Sequence, residues 1–253
     1  MKRIGLDGKY VRKHEVVHHL ADLDKGKSIT VLPNLSQDEV KKKLLEISKK
    51  DRLAVEEVCT DMDEFYIRVA LECFPNAKII IDHYHVIAWG LRQMNELRTM
   101  LQCIEGKKFQ VKHLLMKPAY KLSDAEFRKL QPCFEAFPDV KRAWKIIHQL
   151  RKVYWQQDWR KANSQLRKVI WLCEQSQIEE MQGLAKTLKK RKAEILNYYI
   201  SKASNAKTEA LHSRFETMKR LHCGIRNVDR FAKRLMFCLL PFSVLTQLFA
   251  RSV

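Results

Sequence analysis

The chain has 253 residues, which is enough for one large domain or for one domain that carries an insertion. Its hydrophobic fraction of 46% is ordinary for a globular protein, and its few Gly (7) and Pro (6) residues favour a helix-rich protein over an all-β one. No apolar segment approaches the roughly 18 residues that a membrane span needs, and the first ten residues lack the apolar stretch of a signal peptide.

The seven cysteines are odd in number, widely spaced and without a Cys-x-x-Cys pair. This pattern argues against a disulfide framework and against a structural zinc site, and it favours a reducing compartment. We therefore expect a cytoplasmic protein whose thiols pack mostly as small hydrophobic side chains.

The net charge of +19 is concentrated in the second part of the chain. Residues 1–100 contain 17 Lys and Arg against 16 Asp and Glu, a balance of +1, whereas residues 101–253 contain the remaining 31 against 13, a balance of +18. A strongly basic region attracts polyanions, so nucleic acid is its expected partner. The simpler alternative is a basic surface that serves solubility alone.

The first eighty residues alternate between strand-like and helix-like segments. A turn signal, DKGK, separates the second and third strands and predicts a hairpin, and Ser36 is typical of a helix N-cap. The order predicts an α/β layer with a hairpin at one edge and parallel crossovers elsewhere. The segments are strand, strand, strand, helix, strand, helix and strand, over residues 3–7, 14–24, 28–33, 36–51, 53–61, 63–74 and 78–82.

From about residue 83 onward the strand signals stop and helical periodicity takes over. A last pair of helices is predicted at about 205–220 and 228–247, with Gly224 in the turn between them. No period of 20–50 residues repeats, which argues against a solenoid. The helical segments before that pair, which carry Lys and Arg on one face, are 84–101, 123–137, 139–157, 164–175 and 179–200.

Three of the predicted strands end on an acid, at Asp7, Asp61 and Asp82. Strand ends line the crevice of an α/β sheet, so Asp7 and Asp61 can lie together with Asp82 nearby. Carboxylates are ligands for hard divalent cations, and a pair of such metals can activate the attacking group and stabilise the leaving oxygen in phosphodiester chemistry. Each Asp alone is also a common cap or turn residue, and either Asp61 or Asp63 could cap the helix that begins near Glu64.

A helix over 204–220 places several polar residues on one face, opposite an apolar side. Glu209 is the candidate metal ligand in this helix, and an ion pair with Lys207 or Arg220 is the alternative role for it. The residues that share its polar face are Asn205, His212 or Ser213, and Glu216.

Histidines near the predicted strands are weaker candidates. Asp82 and His85 share one face if their segment is helical, so Asp82 is a candidate auxiliary metal ligand and His85 a hydrogen-bonding neighbour or a packed residue. His18 and His19 are adjacent in a strand and should point to opposite faces, which argues against joint ligation.

Basic residues of the helical segments and of the C-terminal helices are candidates for DNA contact, through salt-dependent binding of phosphates. Trp144, Trp155, Trp159 and Trp171 lie among them and are expected to pack in the helical core, with stacking on an unpaired base as the alternative. The run at 189–192 could equally be a solvated face. The basic candidates are Lys141, Arg142, Arg151, Lys189, Lys190, Arg191, Lys192, Lys219, Arg220 and Arg226.

These residues together resemble the DDE transposases of the ISL-three type from bacterial insertion sequences. IGLDGKYVRKH followed by VVHHLADLDKG resembles the hairpin with the first catalytic Asp, here Asp7, and VEEVCTDMDEFY followed by FPNAKIIIDHYHV resembles the segment with the second, here Asp61. SNAKTEALHSRFETMKRLHCGIRNVDRF holds the position of the catalytic Glu, here Glu209. LLMKPAYKLSDAEF and LAKTLKKRKAEILNYY lie between them in the family's order, so the resemblance covers nearly the whole chain.

The resemblance implies an α/β, ribonuclease-H-like mixed sheet with flanking helices and an all-helical insertion. The catalytic domain would comprise residues 1–85 and 201–253, and the insertion residues 86–200. It implies cleavage and strand transfer of double-stranded DNA, at element ends and target, by Asp7, Asp61 and Glu209 with two Mg²⁺ ions, for which Mn²⁺ can substitute. The expected assembly is a homodimer or larger on DNA, associated with the nucleoid.

Two departures from the family pattern qualify what the resemblance implies. His212 and Ser213 stand where the family often has an Asn pair, which alters hydrogen bonding around the catalytic carboxylates, with His85, Asn205 and His212 as the candidate partners. The family's N-terminal zinc-ribbon and helix-turn-helix region has no counterpart, which predicts a shortened element, a fragment or a protein that is targeted by a partner. The alternative functions are an inactive, transposase-derived DNA-binding protein and a ribonuclease-H-like nuclease.

Overall fold

The computed structural model gives two compact units, and each has its own core. The first unit comprises Met1–Asp82 and Lys202–Val253, and the second comprises His83–Ser201. For four residues only the backbone is described, namely Ser201, Ala206, Lys207 and Glu209. The described residues are 1–239 with the exception of 13, 202–205, 222–224 and 226.

A five-stranded sheet with the order β3-β2-β1-β4-β5 forms the centre of the first unit. The pairs β1–β2 and β2–β3 are antiparallel, whereas β1–β4 and β4–β5 are parallel. The mixed α/β class predicted from the sequence is thereby confirmed, including the edge hairpin, which turns through Gly26 at a φ of 64°. The strands are β1 (Arg3–Arg12), β2 (Glu15–Asp22), β3 (Lys27–Leu32), β4 (Glu57–Thr60) and β5 (Lys78–Ile81).

Helices account for most of the remaining described residues. The single helix predicted over 36–51 is two helices, because the chain turns after Leu45 and Ser48 caps a new helix by accepting a hydrogen bond from the Asp51 amide. The helices are α1 (Gln37–Leu45), α2 (Lys49–Leu53), α3 (Glu64–Cys73), α4 (His83–Glu105), α5 (Lys112–Met116), α6 (Asp124–Ala136), α7 (Pro138–Val153), α8 (Trp159–Gln175), α9 (Glu179–Lys190), α10 (Lys192–Leu196), α11 (Tyr198–Ser201), α12 (Ala206–Leu221) and α13 (Val228–Leu239), with a 3₁₀ turn at Ala119–Lys121.

Helices cover both faces of the sheet, and the alternation of side chains along each strand decides which residues meet which helix. On one face, Val11, Val17 and Val31 pack with residues of α12 and α13 such as Phe215 and Phe231. On the other face, α3 contacts β1, β4 and β5 and is itself covered by α1. Successive residues of β1 therefore point alternately toward α12 and toward α3.

The second unit is built from helices in its described part, as the periodicity predicted. α4 packs on α7 and α9, and α8 lies against α7 and α9. The expectation that the tryptophans pack in the core holds for Trp144, which is buried, but is wrong for Trp155, Trp159 and Trp171, which are exposed. The helix α8, which contains Trp159 and Trp171, buries smaller apolar residues such as Leu166 and Val169, and Trp155 lies in the turn between α7 and α8.

Among the described residues, no helix is both long and apolar enough to cross a membrane. The C-terminal helix predicted at 228–247 is described as far as Leu239, and the rest of that prediction lies outside the described residues, as does the predicted turn at Gly224.

Candidate active site

The register of the parallel strands brings two of the predicted acids side by side. Leu6 of β1 pairs with Thr60 of β4, so the next residues along, Asp7 and Asp61, occupy neighbouring positions where this pairing ends. Asp7 is buried and Asp61 is partly exposed. Neighbouring strands are about 4.8 Å apart, so both carboxylates can reach a shared ligand.

Asp82 extends the same row by one strand. Thr60 pairs with Ile81 of β5, and the Asp82 amide donates a hydrogen bond to the Thr60 carbonyl at 3.0 Å, which continues the ladder by one residue. Asp82 is buried. The sheet thus carries three acids in one row across β1, β4 and β5.

The capping role that was open to both Asp61 and Asp63 belongs to Asp63. Its carboxylate accepts a hydrogen bond from the Phe65 amide and caps α3, whereas Asp61 accepts one from the Asp63 amide at 2.9 Å. Asp61 thereby stabilises the turn between β4 and α3.

Asp7 faces α12 and is the first of a series of polar side chains that contact one another. Its Oδ1 accepts a hydrogen bond from the Gly8 amide at 2.8 Å, and its Oδ2 lies 3.9 Å from His212 Nδ1. His212 Nε2 is 3.2 Å from His19 Nδ1, and His19 Nε2 is 2.8 Å from Ser28 Oγ. Burial, with the adjacent His212, lowers the pKa of His19 to about 3, so this ring is neutral at pH 7. The series of polar groups therefore extends from Ser28 of β3 to Asp7, and His19 adds no positive charge to it.

His18, one residue away, points to the opposite face. Its Nδ1 lies 2.8 Å from the hydroxyl of Tyr66 on α3, and its ring stacks on Phe65. Burial lowers the pKa of His18, and burial with the nearby charges of Asp61 and Asp7 raises the pKa of Tyr66. Both groups are therefore neutral at pH 7. Their contact joins β2 to α3 on the face of the sheet opposite α12.

Tyr66 occupies the space that a side chain at position 8 would need. A Cβ on Gly8 would lie 2.0 Å from the Tyr66 hydroxyl oxygen and 2.9 Å from Cζ of the same ring. Nothing in the sequence singled out Tyr66, whereas a glycine inside a strand often marks such a close approach. Gly8 therefore lets α3 lie tightly against β1 directly after Asp7.

We expect Gly8→Ala to lower the free energy of unfolding by about 1–3 kcal/mol, the usual cost of overpacking. Urea denaturation measures it, and the matched control is Gly183→Ala. A Cβ at Gly183 meets only Gln93 Oε1, at 3.7 Å, and that position is in α9, where Ala is favoured over Gly by about 1 kcal/mol. In a double-mutant cycle, Tyr66→Ala should relieve most of the Gly8→Ala cost. Equal stability of Gly8→Ala and wild type would contradict this packing.

The other residues predicted to bind the metals or to assist the acids differ in how far the structure describes them. Glu209 lies in α12 three residues before His212, and its side chain is outside the described residues, as are Asn205 and the proposed ion pair with Lys207. His85 lies in α4 of the second unit, and its Nε2 is buried without a hydrogen-bond partner among the described residues. Glu216 of α12 pairs with Lys9 of β1 at 3.3 Å.

Two residues predicted to contact DNA make contacts within the second unit that hold their side chains partly or fully inside. Arg191 is only 7% exposed and pairs with Glu194, and Arg151 donates a hydrogen bond to the Met116 carbonyl while burial lowers its pKa. Burial disfavours a DNA contact by Arg191, and a DNA contact by the half-buried Arg151 stays a prediction. Arg142, Lys189, Lys190 and Arg220 are exposed, Lys141, Lys192 and Lys219 are half-buried, and Arg226 lies outside the described residues.

No group of three or more His, Cys, Asp or Glu side chains forms a metal-binding cluster among the residues that the structure describes. Asp7 and Asp61 supply two carboxylates, and the third predicted ligand, Glu209, has no described side chain. The described donor set is thus the carboxylates of Asp7 in β1 and Asp61 directly after β4, with a third acid, Asp82, directly after β5.

Comparison with known proteins identifies the family. The model of a family described as transposase, of the DDE and ISL-three type, matches residues 4–235, which is most of the chain. Neither the curated proteins nor the solved structures contain a match. The family implies DNA as the substrate. The resemblance noted in the sequence is thereby confirmed, and the chain belongs to the ISL-three-type DDE transposase family.

Proposed function

We propose that this chain catalyses metal-dependent cleavage and strand transfer of DNA during movement of an insertion sequence, with Asp7, Asp61 and Glu209 as its catalytic carboxylates. The observation that carries the proposal is the row of acids on adjacent parallel strands, in a chain of a transposase family. Asp61 is not needed as a helix cap, because Asp63 already caps α3.

The proposal includes a ribonuclease-H-like fold for the catalytic domain. The strand order β3-β2-β1-β4-β5, with an antiparallel edge and a parallel remainder, is compatible with that fold. In this view residues 1–85 and 201–253 form the catalytic domain and residues 86–200 the helical insertion. The division into two compact units near these boundaries supports it.

Divalent metals fit the donors at the row of acids. Mg²⁺ is bound in proteins by one or two carboxylates together with waters and substrate phosphates, and Asp7 and Asp61 supply two carboxylates. The spacing of neighbouring strands, about 4.8 Å, suits two metals that are about 3.5–4 Å apart. Asp82 is the candidate auxiliary ligand, and Mn²⁺ should substitute for Mg²⁺.

When bound, two such metals supply Lewis-acid activation of the attacking hydroxyl group and stabilisation of the leaving oxygen. The protein's part is to hold the carboxylates in place. Gly8 fixes one oxygen of Asp7 through its amide, and His212 lies beside the other. Asp7 is buried, and the lower dielectric around a buried carboxylate strengthens its electrostatic interactions.

Glu209 would complete the set from the helix that already contacts β1. It precedes His212 by three residues, and residues three apart share a face of a helix. Because His212 lies beside Asp7, this spacing supports a position for Glu209 near the same row. His212 is proposed as a positioning residue for the carboxylates.

DNA would be held by the basic residues that remain on the surface. Arg142, Lys189, Lys190 and Arg220 are exposed, although Arg142 and Lys189 pair with Asp139 and Glu174. Phosphate binding would have to replace those pairs, which are exposed and therefore contribute little to stability. The proposed assembly on DNA is a homodimer or larger.

The proposal is tested by incubating the purified chain with DNA that carries the element ends and with Mg²⁺, Mn²⁺, Ca²⁺ or a chelator. We expect nicks that leave 3′-hydroxyl groups with Mg²⁺ or Mn²⁺, and none with the chelator. Cleavage that persists in the chelator would contradict the metal-dependent mechanism. DNA binding without cleavage under every condition would favour a DNA-binding protein over an enzyme, and cleavage of any structured nucleic acid without joining would favour a nuclease.

A further inference from the structure

The outward face of α8 combines basic residues with an exposed tryptophan. Residues 160, 164, 167, 168 and 171 are all exposed, and their spacing places them on one face of the helix. The opposite face is apolar and buried through Ala162, Leu166, Val169, Ile170 and Cys173. We call the exposed set, comprising Arg160, Ser164, Arg167, Lys168 and Trp171, the α8 face.

The cations of the α8 face differ from others in the same unit. Among the described residues, Arg160, Arg167 and Lys168 have no acidic partner within ion-pair distance, whereas Lys161 pairs with Asp158 and Lys189 with Glu174. Unpaired, solvated cations on one face create a local positive potential that attracts phosphates.

Trp171 lies at the C-terminal end of the α8 face, next to two of these cations. Arg167 precedes it by one turn and Lys168 by three residues, so both side chains are neighbours of the indole, which is 57% exposed. Trp155 is exposed to the same extent, but its ring meets Tyr120 edge-on, with the centroids 5.7 Å apart. No ring partner is found for Trp171 among the described residues, so its face is open to a planar ligand.

We propose that the α8 face binds single-stranded DNA, with Arg160, Arg167 and Lys168 on the phosphates and Trp171 stacked on an unpaired base. The distance along the helix from residue 160 to 171 is about 16 Å, which is several phosphate spacings of a nucleic acid strand. Aromatic stacking with flanking cations is the usual way of binding single strands without reading sequence. Duplex DNA keeps its bases inside the stack, so Trp171 selects for unpaired bases.

This proposal rests on the proposed DNA partner but not on the catalytic carboxylates. It names a surface for strands that cleavage or melting has left unpaired. The test therefore measures binding alone, with a chelator present, by fluorescence anisotropy of a labelled oligonucleotide offered either as a single strand or as the duplex of the same sequence.

We expect Trp171→Ala to weaken binding of the single strand about tenfold and binding of the duplex less than about twofold. Trp171→Phe should retain most of the affinity, because it keeps an aromatic ring. The matched control is Trp155→Ala, which removes an equally exposed indole and should change the affinity less than about twofold. Wild-type affinity of Trp171→Ala, or an equal loss in Trp155→Ala, would overturn the proposal.

The cations are tested by the salt dependence of the same binding. Arg167→Gln with Lys168→Gln should lower the slope of log affinity against log salt by about 0.7 for each charge removed. The matched double variant, Lys117→Gln with Lys161→Gln, removes two charges that are paired with Glu126 and Asp158 and should change the slope less. Equal slopes for both double variants would contradict a specific α8 face.

Asp7→Asn separates this proposal from the proposed function. The variant should bind the single strand as the wild type does, because its substitution lies in the other unit. Loss of cleavage in Asp7→Asn with loss of binding in Trp171→Ala supports both proposals. Intact binding in Trp171→Ala overturns the α8 face alone, and intact cleavage in Asp7→Asn overturns the catalytic proposal alone.

Discussion

Asp7→Asn is expected to lower the rate of metal-dependent DNA cleavage by about a thousandfold or more, since losing about 4 kcal/mol of charge stabilisation has that effect. Asn keeps the size of the side chain and can still accept the hydrogen bond from the Gly8 amide. It lacks the negative charge that would bind the metals. The measurement is single-turnover cleavage of labelled element-end DNA at saturating enzyme, compared with the wild type.

Thermal unfolding provides a control that does not depend on activity. A buried carboxylate is costly without its metal, so metal-free Asp7→Asn should be at least as stable as metal-free wild type. Mg²⁺ at a hundred times its dissociation constant should stabilise the wild type by about 2.7 kcal/mol, and this gain should be lost in the variant. Cleavage at the wild-type rate, or an unchanged response to Mg²⁺, would remove Asp7 from the catalytic set.

The second large effect is expected for Asp61, and its neighbour Asp63 is the matched control. Asp61→Asn keeps an oxygen for the Asp63 amide, so the turn should survive while cleavage falls by about a thousandfold. Asp63→Ala removes the cap of α3 and should lower the free energy of unfolding by about 1 kcal/mol with cleavage nearly intact. Single-turnover cleavage and urea denaturation of both variants measure these opposite profiles.

The outcome for this pair decides between catalysis and local structure. Two variants that both lose stability and both keep activity would indicate that Asp61 serves only the turn. A loss of activity in Asp63→Ala as large as in Asp61→Asn would indicate that the turn, and not the charge of Asp61, is what cleavage requires.

The row of acids could be foreseen because parallel strands end at one edge of the sheet, but the length of β1 could not. The strand was expected to end at Asp7, yet it continues to Arg12. Its parallel partner β4 stops at Thr60, whereas its antiparallel partner β2 goes on pairing as far as Glu15. Asp7 is therefore inside a strand and rigidly held. The sequence pattern alone does not reveal which of the two neighbouring strands, β2 or β4, keeps pairing with β1 beyond Asp7.

The exposure of single side chains on helices was harder to foresee. The sequence predicts either a solvated or a DNA-contacting face for the run at 189–192, but four successive residues span more than one helical turn and cannot all lie on one face. Arg191 faces inward where α9 ends, and Glu194 compensates its charge. Trp159 and Trp171 show the opposite difference, since they were predicted to be buried and are exposed. Other apolar residues of α7, α8 and α9 fill the core between these helices. Periodicity gives the face of a helix but not which apolar residues the core will accept.

The chain order of the first unit has a consequence for synthesis. Asp7 and Asp61 leave the ribosome before residues 83–201, whereas α12, which packs against β1 and carries Glu209, follows only after them. At about 5–20 residues per second, that unit delays the third proposed carboxylate by roughly 6–24 s. An unfinished chain would therefore have the two early acids but no complete centre. The proposed centre would become able to cut the cell's DNA only after α12 has been synthesised.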